Sequence, residues 1–258
     1  MKILVKLGGT LLDDPASRAQ LAAQIADTAA AGHALVVVHG GGKQMTRFLQ
    51  ERGIESRFVG GLRVTTPETM DAVVKVLAGS VNHELVAALT QAGARAVGLS
   101  GVDCRLVEAE QMDPDLGQVG RVVRSNPELL TLLTSHGYTP VVACMAGDAA
   151  GNMYNVNADQ MAVACASAFG VDRLIFLTDV QGVLDGERRL LSLLTMTECR
   201  GLISTGVATG GMQAKLNAAI SAIEHGVGQV NIALGAEPRI LPRLMSGEEI
   251  GTRLRSEA

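Results

Sequence analysis

Residues 1–42 read MKILVKLGGTLLDDPASRAQLAAQIADTAAAGHALVVVHGGG, and the alternation within them decides the fold. Residues 3–7 are a short aliphatic run, 16–31 are Ala-rich with helical spacing, 35–38 are a second aliphatic run, and 43–52 return to helical spacing. This is a strand–helix–strand–helix order, the signature of parallel strands with covering helices. The run LVVV at 35–38 is continuously apolar rather than alternating, as a strand covered on both faces must be.

Working outward, the pattern resumes with strands at 94–99 and 140–144, a helix at 158–169, a strand at 173–177, a helix at 210–225 and a strand at 229–233. The fold class predicted is α/β: an open, mainly parallel sheet sandwiched between helices, with two lobes sharing one sheet. Residues 57–66 (RFVGGLRVTT) read as two short strands around a Gly pair, and 103–123 as a second small antiparallel insertion. The stretch GDAAGN at 147–152 is the best boundary between lobes, which then run 1–152 and 153–258.

Composition narrows the function. The 258 residues are 47% hydrophobic and 19% charged, the profile of a chain that folds alone. The net charge of −4 gives no global field for nucleic acid or an anionic membrane, and aromatic residues at 2% leave few stacking platforms for single strands. No apolar run approaches a spanning helix and the N-terminus carries no signal-peptide core, so a cytoplasmic location is expected. Cys104, Cys144, Cys165 and Cys199 have no metal-site spacing and read as reduced, buried thiols.

Chemistry gathers at the predicted strand ends, where open α/β sheets bind ligands. Lys6-Leu7-Gly8-Gly9 and His39-Gly40-Gly41-Gly42 each follow a strand and precede a helix. Glycines there either make tight turns or let backbone N–H groups approach an anion, and two such loops on adjacent strands point to the second. Neither a Walker loop nor a GxGxxG fingerprint is present. Lys6, at the end of a buried strand, either meets an anion or reaches solvent. In NVNAD at 155–159, Asn157 or Asp159 can cap the next helix, while Asn155 and Asp159 can also serve a ligand and cationic side chains. Lys215 lies about one turn into a helix that opens with Gly210 and Gly211.

Taken in order, KLGG (6–9), VHGGG (38–42), GGLRVT (60–65), GLSGVD (98–103), NVNAD (155–159), LTDVQGVLDG (177–186) and TGGMQAKL (209–216) resemble the amino acid kinase family across essentially the whole chain. The motifs are most similar to those of members that phosphorylate the γ-carboxylate of N-acetyl-L-glutamate in arginine biosynthesis. The resemblance implies a first lobe for the acylated amino acid and for dimerisation, and a second for ATP. Lys6 and Lys215 would stabilise the transferring phosphoryl group, with Asp159 positioning both. Gly8, Gly9 and Gly41 would donate N–H groups to the phosphates. Gly41, Gly42, Arg63 and Asn155 would hold the amino acid, with Arg63 on a hairpin lid. The nucleotide would lie against Asp179, Val180, Gln181, Gly182, Val183 and Leu184, and against Val207, Ala208 and Thr209. Mg²⁺ would be held mainly by ATP phosphates, with no protein metal ligand.

Two departures stand out. Cys104 occupies a position where glycine is common in the family, and ACMA at 143–146 replaces the more usual proline- or serine-containing floor. The chain opens at its first strand without the N-terminal helix of arginine-inhibited hexameric members, so a homodimer without arginine feedback is expected. The rival readings are a kinase for aminoadipate or glutamate linked to a carrier protein, a nucleotide-monophosphate or carbamate kinase of the same fold, and a catalytically silent sensor.

Overall fold

The computed structural model describes residues 1–256. In chain order the strands are β1 (Lys2–Leu7), β2 (Ala34–His39), β3 (Phe58–Val59), β4 (Leu62–Arg63), β5 (Ala96–Ser100), β6 (Val107–Gln111), β7 (Gly120–Ser125), β8 (Thr139–Ala143), β9 (Met145–Gly147), β10 (Met153–Asn155), β11 (Arg173–Thr178), β12 (Leu193–Thr195), β13 (Gln229–Leu234) and β14 (Thr252–Arg255). The helices are α1 (Pro15–Ala30), α2 (Gly42–Gln50), α3 (Pro67–Val73), α4 (Asn82–Gln91), α5 (Glu128–Ser135), α6 (Ala158–Phe169), α7 (Met196–Ser204), α8 (Gly210–Glu224) and α9 (Ile240–Met245).

Eight strands form the main sheet in the order β12-β14-β13-β11-β1-β2-β8-β5, and within it only the β13–β14 pairing is antiparallel. β1, β2 and β11 are buried from their second residue onward, which accounts for their unbroken apolar sequences. The chain winds outward from β1 through β2 in one direction, then returns to β1's other side at β11. The carboxyl ends of β2, β1 and β11 therefore frame a topological switch point, the place where an open α/β sheet leaves a crevice.

Local sequence starts the helices where the crevice needs them. Asp14 caps α1 by accepting from the Ser17 N–H at 2.8 Å, with Pro15 in the first turn. Asn157 caps α6, accepting from Asp159 and Gln160, and Gly170 closes it in the left-handed region at φ 69°. Both small insertions form as expected. β3 and β4 make a two-stranded hairpin turned by Gly60 and Gly61, whose φ values of 57° and 82° favour glycine. β6 and β7 pair antiparallel within a second sheet of order β10-β9-β6-β7. The expected boundary at 147–152 is the turn of the β9–β10 hairpin in this second sheet. Residues 257 and 258 of the expected second lobe lie outside the described residues.

Three features depart from expectation. Residues 67–91 form one continuous 25-residue helix, α3 and α4 joined by a π-helical segment at Val74–Val81. It is long and apolar enough to cross a bilayer by length and composition alone, yet 44% of its most apolar window is buried in the protein. Cys144, Cys165 and Cys199 are buried as expected, but Cys104 is exposed. It also sits at φ 50°, which explains why glycine suits that position.

Candidate active site

β1 carries Lys6 to the switch point one residue before its end, paired with Phe176 on β11 and Val38 on β2. Lys6 is only 7% exposed and its ammonium lies 2.6 Å from Asp159 Oδ1, which resolves the two sequence readings in favour of the anion. Asp159 is the second residue of α6, where a carboxylate also meets the partial positive charge of the helix N-terminus. Its other oxygen, Oδ2, stands 3.9 Å from Lys215 Nζ on α8. One carboxylate thus orients two ammonium groups that come from a strand end and from a separate helix. Asp159 is not the cap of α6; Asn157 is.

The two glycine loops lie against each other. A Cβ on Gly9 would stand 3.1 Å from Gly42 N and 3.2 Å from Gly41 N, so this close approach favours glycine. The N–H groups of Gly9, Gly41 and Gly42 have no hydrogen-bond partner among the described residues, which leaves an anion cradle beside Lys6. Gly8 differs from expectation. Its N–H donates to Leu177 O at 2.9 Å, tying the β1 loop to β11, so it shapes the cradle and has no free N–H for a phosphate.

A cavity of about 160 Å³ opens beside the cradle, lined by Gly40, Gly41 and Gly42, by Phe58 and Arg63 of the hairpin, and by Asn155. Arg63 points inward, donating to Ser56 Oγ at 2.5 Å, Thr46 Oγ1 at 2.8 Å and Gly42 O at 3.1 Å, with its guanidinium 4.6 Å from the Phe58 ring centre. Burial pulls its pKa down from the usual arginine value. Asn155 Nδ2 donates to Thr65 Oγ1 at 3.1 Å, linking the strand before α6 to the segment after the hairpin. Cys144 forms part of the cavity wall, its thiol pushed up to about 11, mainly by burial. Thr46 and Ser56 were not singled out from the sequence, because no motif links two isolated hydroxyls to an arginine further along the chain.

A much larger groove, about 1140 Å³, starts at Asp159 and Lys215 and runs between α6 and α8 under β7 and the Gly60–Gly61 turn. The expected nucleotide segments lie outside its lining. Asp179, Val180, Gln181 and Leu184 are exposed after β11, as expected of a ligand loop, and Gly182 packs closely on Thr252. Val183 is a correction: it is fully buried, its N–H donates to Thr252 Oγ1 at 2.8 Å and its carbonyl accepts from Leu191. Ala208 is another: it is buried and its N–H donates to Leu202 O at 2.9 Å. Val207 and Thr209 on either side are exposed, Thr209 capping α8 through its backbone only.

The sequence reading also missed what stands behind the Gly40–Gly42 loop. His39 is fully buried, with Nδ1 2.9 Å from Gly40 O and Nε2 2.9 Å from Asn82 Nδ2. Burial lowers its pKa to about 4 against the Gly40 hydrogen bond, so the ring is neutral at physiological pH. His39 was visible in VHGGG, but its partner lies on a helix that the sequence reading did not include.

Two glycine loops at a switch point, with a carboxylate between two ammonium groups, form an anion-binding crevice of the α/β class. The amino acid kinase family model matches residues 1–233, and the chain belongs to that family. It is 70% identical over 254 residues to the acetylglutamate kinase of Solibacter usitatus, covering 98% of this chain and 99% of that protein. It is 44% identical over 248 residues to the acetylglutamate kinase of Acidobacterium capsulatum, covering 95% of each. Among solved structures, smu.665 from Streptococcus mutans UA159 superposes with a TM-score of 0.86 at 30% identity, covering 99% of both chains.

Proposed function

We propose that this chain catalyses the ATP-dependent phosphorylation of the γ-carboxylate of N-acetyl-L-glutamate, a step of arginine biosynthesis. The observation that carries the reading is the Lys6–Asp159–Lys215 arrangement beside the paired glycine loops. The near-full-length likeness to acetylglutamate kinases supports the substrate and disfavours a carrier-linked substrate or a silent sensor.

In this mechanism a γ-carboxylate oxygen, already an ionised nucleophile, forms a bond to the terminal phosphorus of ATP while the bridging P–O bond to ADP breaks. No general base is required, so the protein's task is alignment and charge neutralisation. Lys6 and Lys215 face the negative charge that redistributes during transfer, and Asp159 holds both at their stations. Gly9, Gly41 and Gly42 present N–H groups to the phosphates. Arg63 and Asn155 hold the amino acid's α-carboxylate and acetamido end in the smaller cavity. The nucleotide lies against Asp179–Gln181, Leu184, Val207 and Thr209 of the second lobe, while 1–152 supplies most of the amino-acid cavity and the dimer contact. No cluster of three His, Cys, Asp or Glu side chains suited to a metal exists among the described residues, and Asp159 is committed to the lysines. Mg²⁺ would be held mainly by the nucleotide's phosphates, where it would neutralise their charge. A cytoplasmic homodimer completes the proposal, tested by sizing of the purified protein.

The deciding experiment is trapping of acyl phosphate as hydroxamate with ATP and Mg²⁺, comparing N-acetylglutamate, glutamate, aspartate and N-acetyl-aminoadipate. Strong preference for N-acetylglutamate is the expected result. Turnover with none of the four would overturn the reading and return weight to a carrier-linked substrate or a sensor.

A further inference from the structure

His39 ends β2, beside Leu7 of β1 and Ala143 of β8, with no solvent exposure. A carbonyl oxygen can only accept, so the 2.9 Å contact with Gly40 O places the ring proton on Nδ1. Nε2 is then a lone pair, matched by the Asn82 amide at 2.9 Å, whose NH₂ also reaches Val141 O at 2.9 Å. Asn82 has room because Gly98 on β5 lacks a Cβ, which would overlap the Asn82 side-chain oxygen. The whole network is buried and neutral, and it points at one backbone carbonyl.

That carbonyl shares a peptide plane with the Gly41 N–H. In a planar trans unit the C=O and N–H point in opposite directions, so fixing one fixes the other. His39 draws Gly40 O into the interior, and the Gly41 N–H is thereby turned outward, to the side where Gly41 N and Gly42 N lie against Gly9. The π-helical segment steadies the same loop from behind, since Leu77 and Val81 occupy the space a Cβ on Gly41 would take.

We propose that His39 is a positioning residue for phosphoryl transfer, acting through the Gly40–Gly41 peptide to aim the cradle's N–H groups. The proposal rests on the reading of this site as a phosphotransferase, and it concerns a residue that touches neither substrate. It predicts that the Nδ1–Gly40 bond matters for turnover and the Nε2–Asn82 bond only for packing.

Two substitutions separate these bonds. His39→Asn keeps a donor at the Nδ1 position and loses the reach to Asn82, whereas His39→Gln keeps a polar atom near Nε2 and releases Gly40. We expect His39→Gln to lower kcat by about 10²-fold with little change in KM, the scale of a roughly 1 Å misplacement. His39→Asn should stay within about threefold of wild type while its melting temperature falls as much as that of His39→Gln. Amide resonances of ¹⁵N-glycine-labelled protein should shift for Gly41 and Gly42 in His39→Gln and not in His39→Asn. Wild-type kcat in His39→Gln, or equal losses in both variants, would overturn the proposal. If the wild-type chain itself forms no acyl phosphate, the proposed activity fails on its own, and the resonances decide the positioning role: unmoved glycine amides in His39→Gln overturn it.

Discussion

Lys6 and Asp159 meet at 2.6 Å across the junction of a strand end and a helix start, each less than a tenth exposed. An ammonium in that setting is held in one place by its carboxylate, and the same carboxylate reaches Lys215. Replacing either lysine by Ala should lower kcat by about 10²-fold or more, since each is proposed to face charge that develops in transfer. Steady-state kinetics with N-acetylglutamate and ATP measure this, and near-wild-type turnover in either variant would refute that lysine's role.

Arg63 is held by two hydroxyls, a carbonyl and an aromatic face at the wall of the smaller cavity. The carboxylate it is proposed to bind is charged before and during transfer, so Arg63→Ala should raise KM for the amino acid far more than it lowers kcat. Arg63→Lys should restore little, because an ammonium cannot reproduce a planar fork with several fixed donors. An unchanged KM in Arg63→Ala would remove the assignment.

Gly9→Ala tests the cradle. The new methyl would stand against Gly41 N and Gly42 N and shield the two N–H groups from an incoming phosphate. Activity should fall by about 10-fold or more, in line with the loss of preorganised donors. Gly201→Ala on α7 is the control, because its Cβ would meet nothing within 4 Å and it lies outside the site. Equal activity in the two variants would contradict a cradle built on the Gly9 approach.

His39 makes stability depend on pH. Its folded pKa is lowered from 6.5 to about 4, by burial first, so the unfolded chain takes up its proton at higher pH than the native state does. The contribution is complete above about pH 6.5 and is lost as pH falls towards 4, where it has dropped by about 3 kcal/mol. Denaturant titrations of wild type and His39→Asn should converge over that window. A constant difference between them would show that His39 does not titrate this way.

The thiols should divide three to one. Burial pushes Cys144 and Cys199 to about 11 and Cys165 to about 12, whereas Cys104 is exposed. Thiolate is the reactive form, so at neutral pH one thiol should react quickly with a disulfide reagent and three only on unfolding. Peptide mapping of the labelled site checks the assignment, and rapid labelling of Cys144 would show a cavity more open than this geometry allows.

By itself the sequence determined which segments lie in the main sheet's core and where the chain turns. Strand periodicity, helical spacing and paired glycines act through neighbouring residues, so β1, β2, β11, α6 and both insertions were legible. Site residues were legible where chemistry is unusual for its position, as with Lys6 at a buried strand end and the polar run Asn155–Asp159. The helix over 67–91 was also legible and went unread: its buried Met70, Val73, Leu77, Val81, Leu85 and Leu89 recur every three or four residues along one face. Tertiary structure decided what depends on distant partners. Gly8, Val183 and Ala208 carry the right motif, yet their N–H groups are spent on Leu177, Thr252 and Leu202. His39 looked like a bystander in a glycine signature until Asn82 and Val141 were brought beside it. Local pattern fixes an element because its forces are local. A hydrogen bond between residues far apart in the chain exists only once the fold has closed the distance.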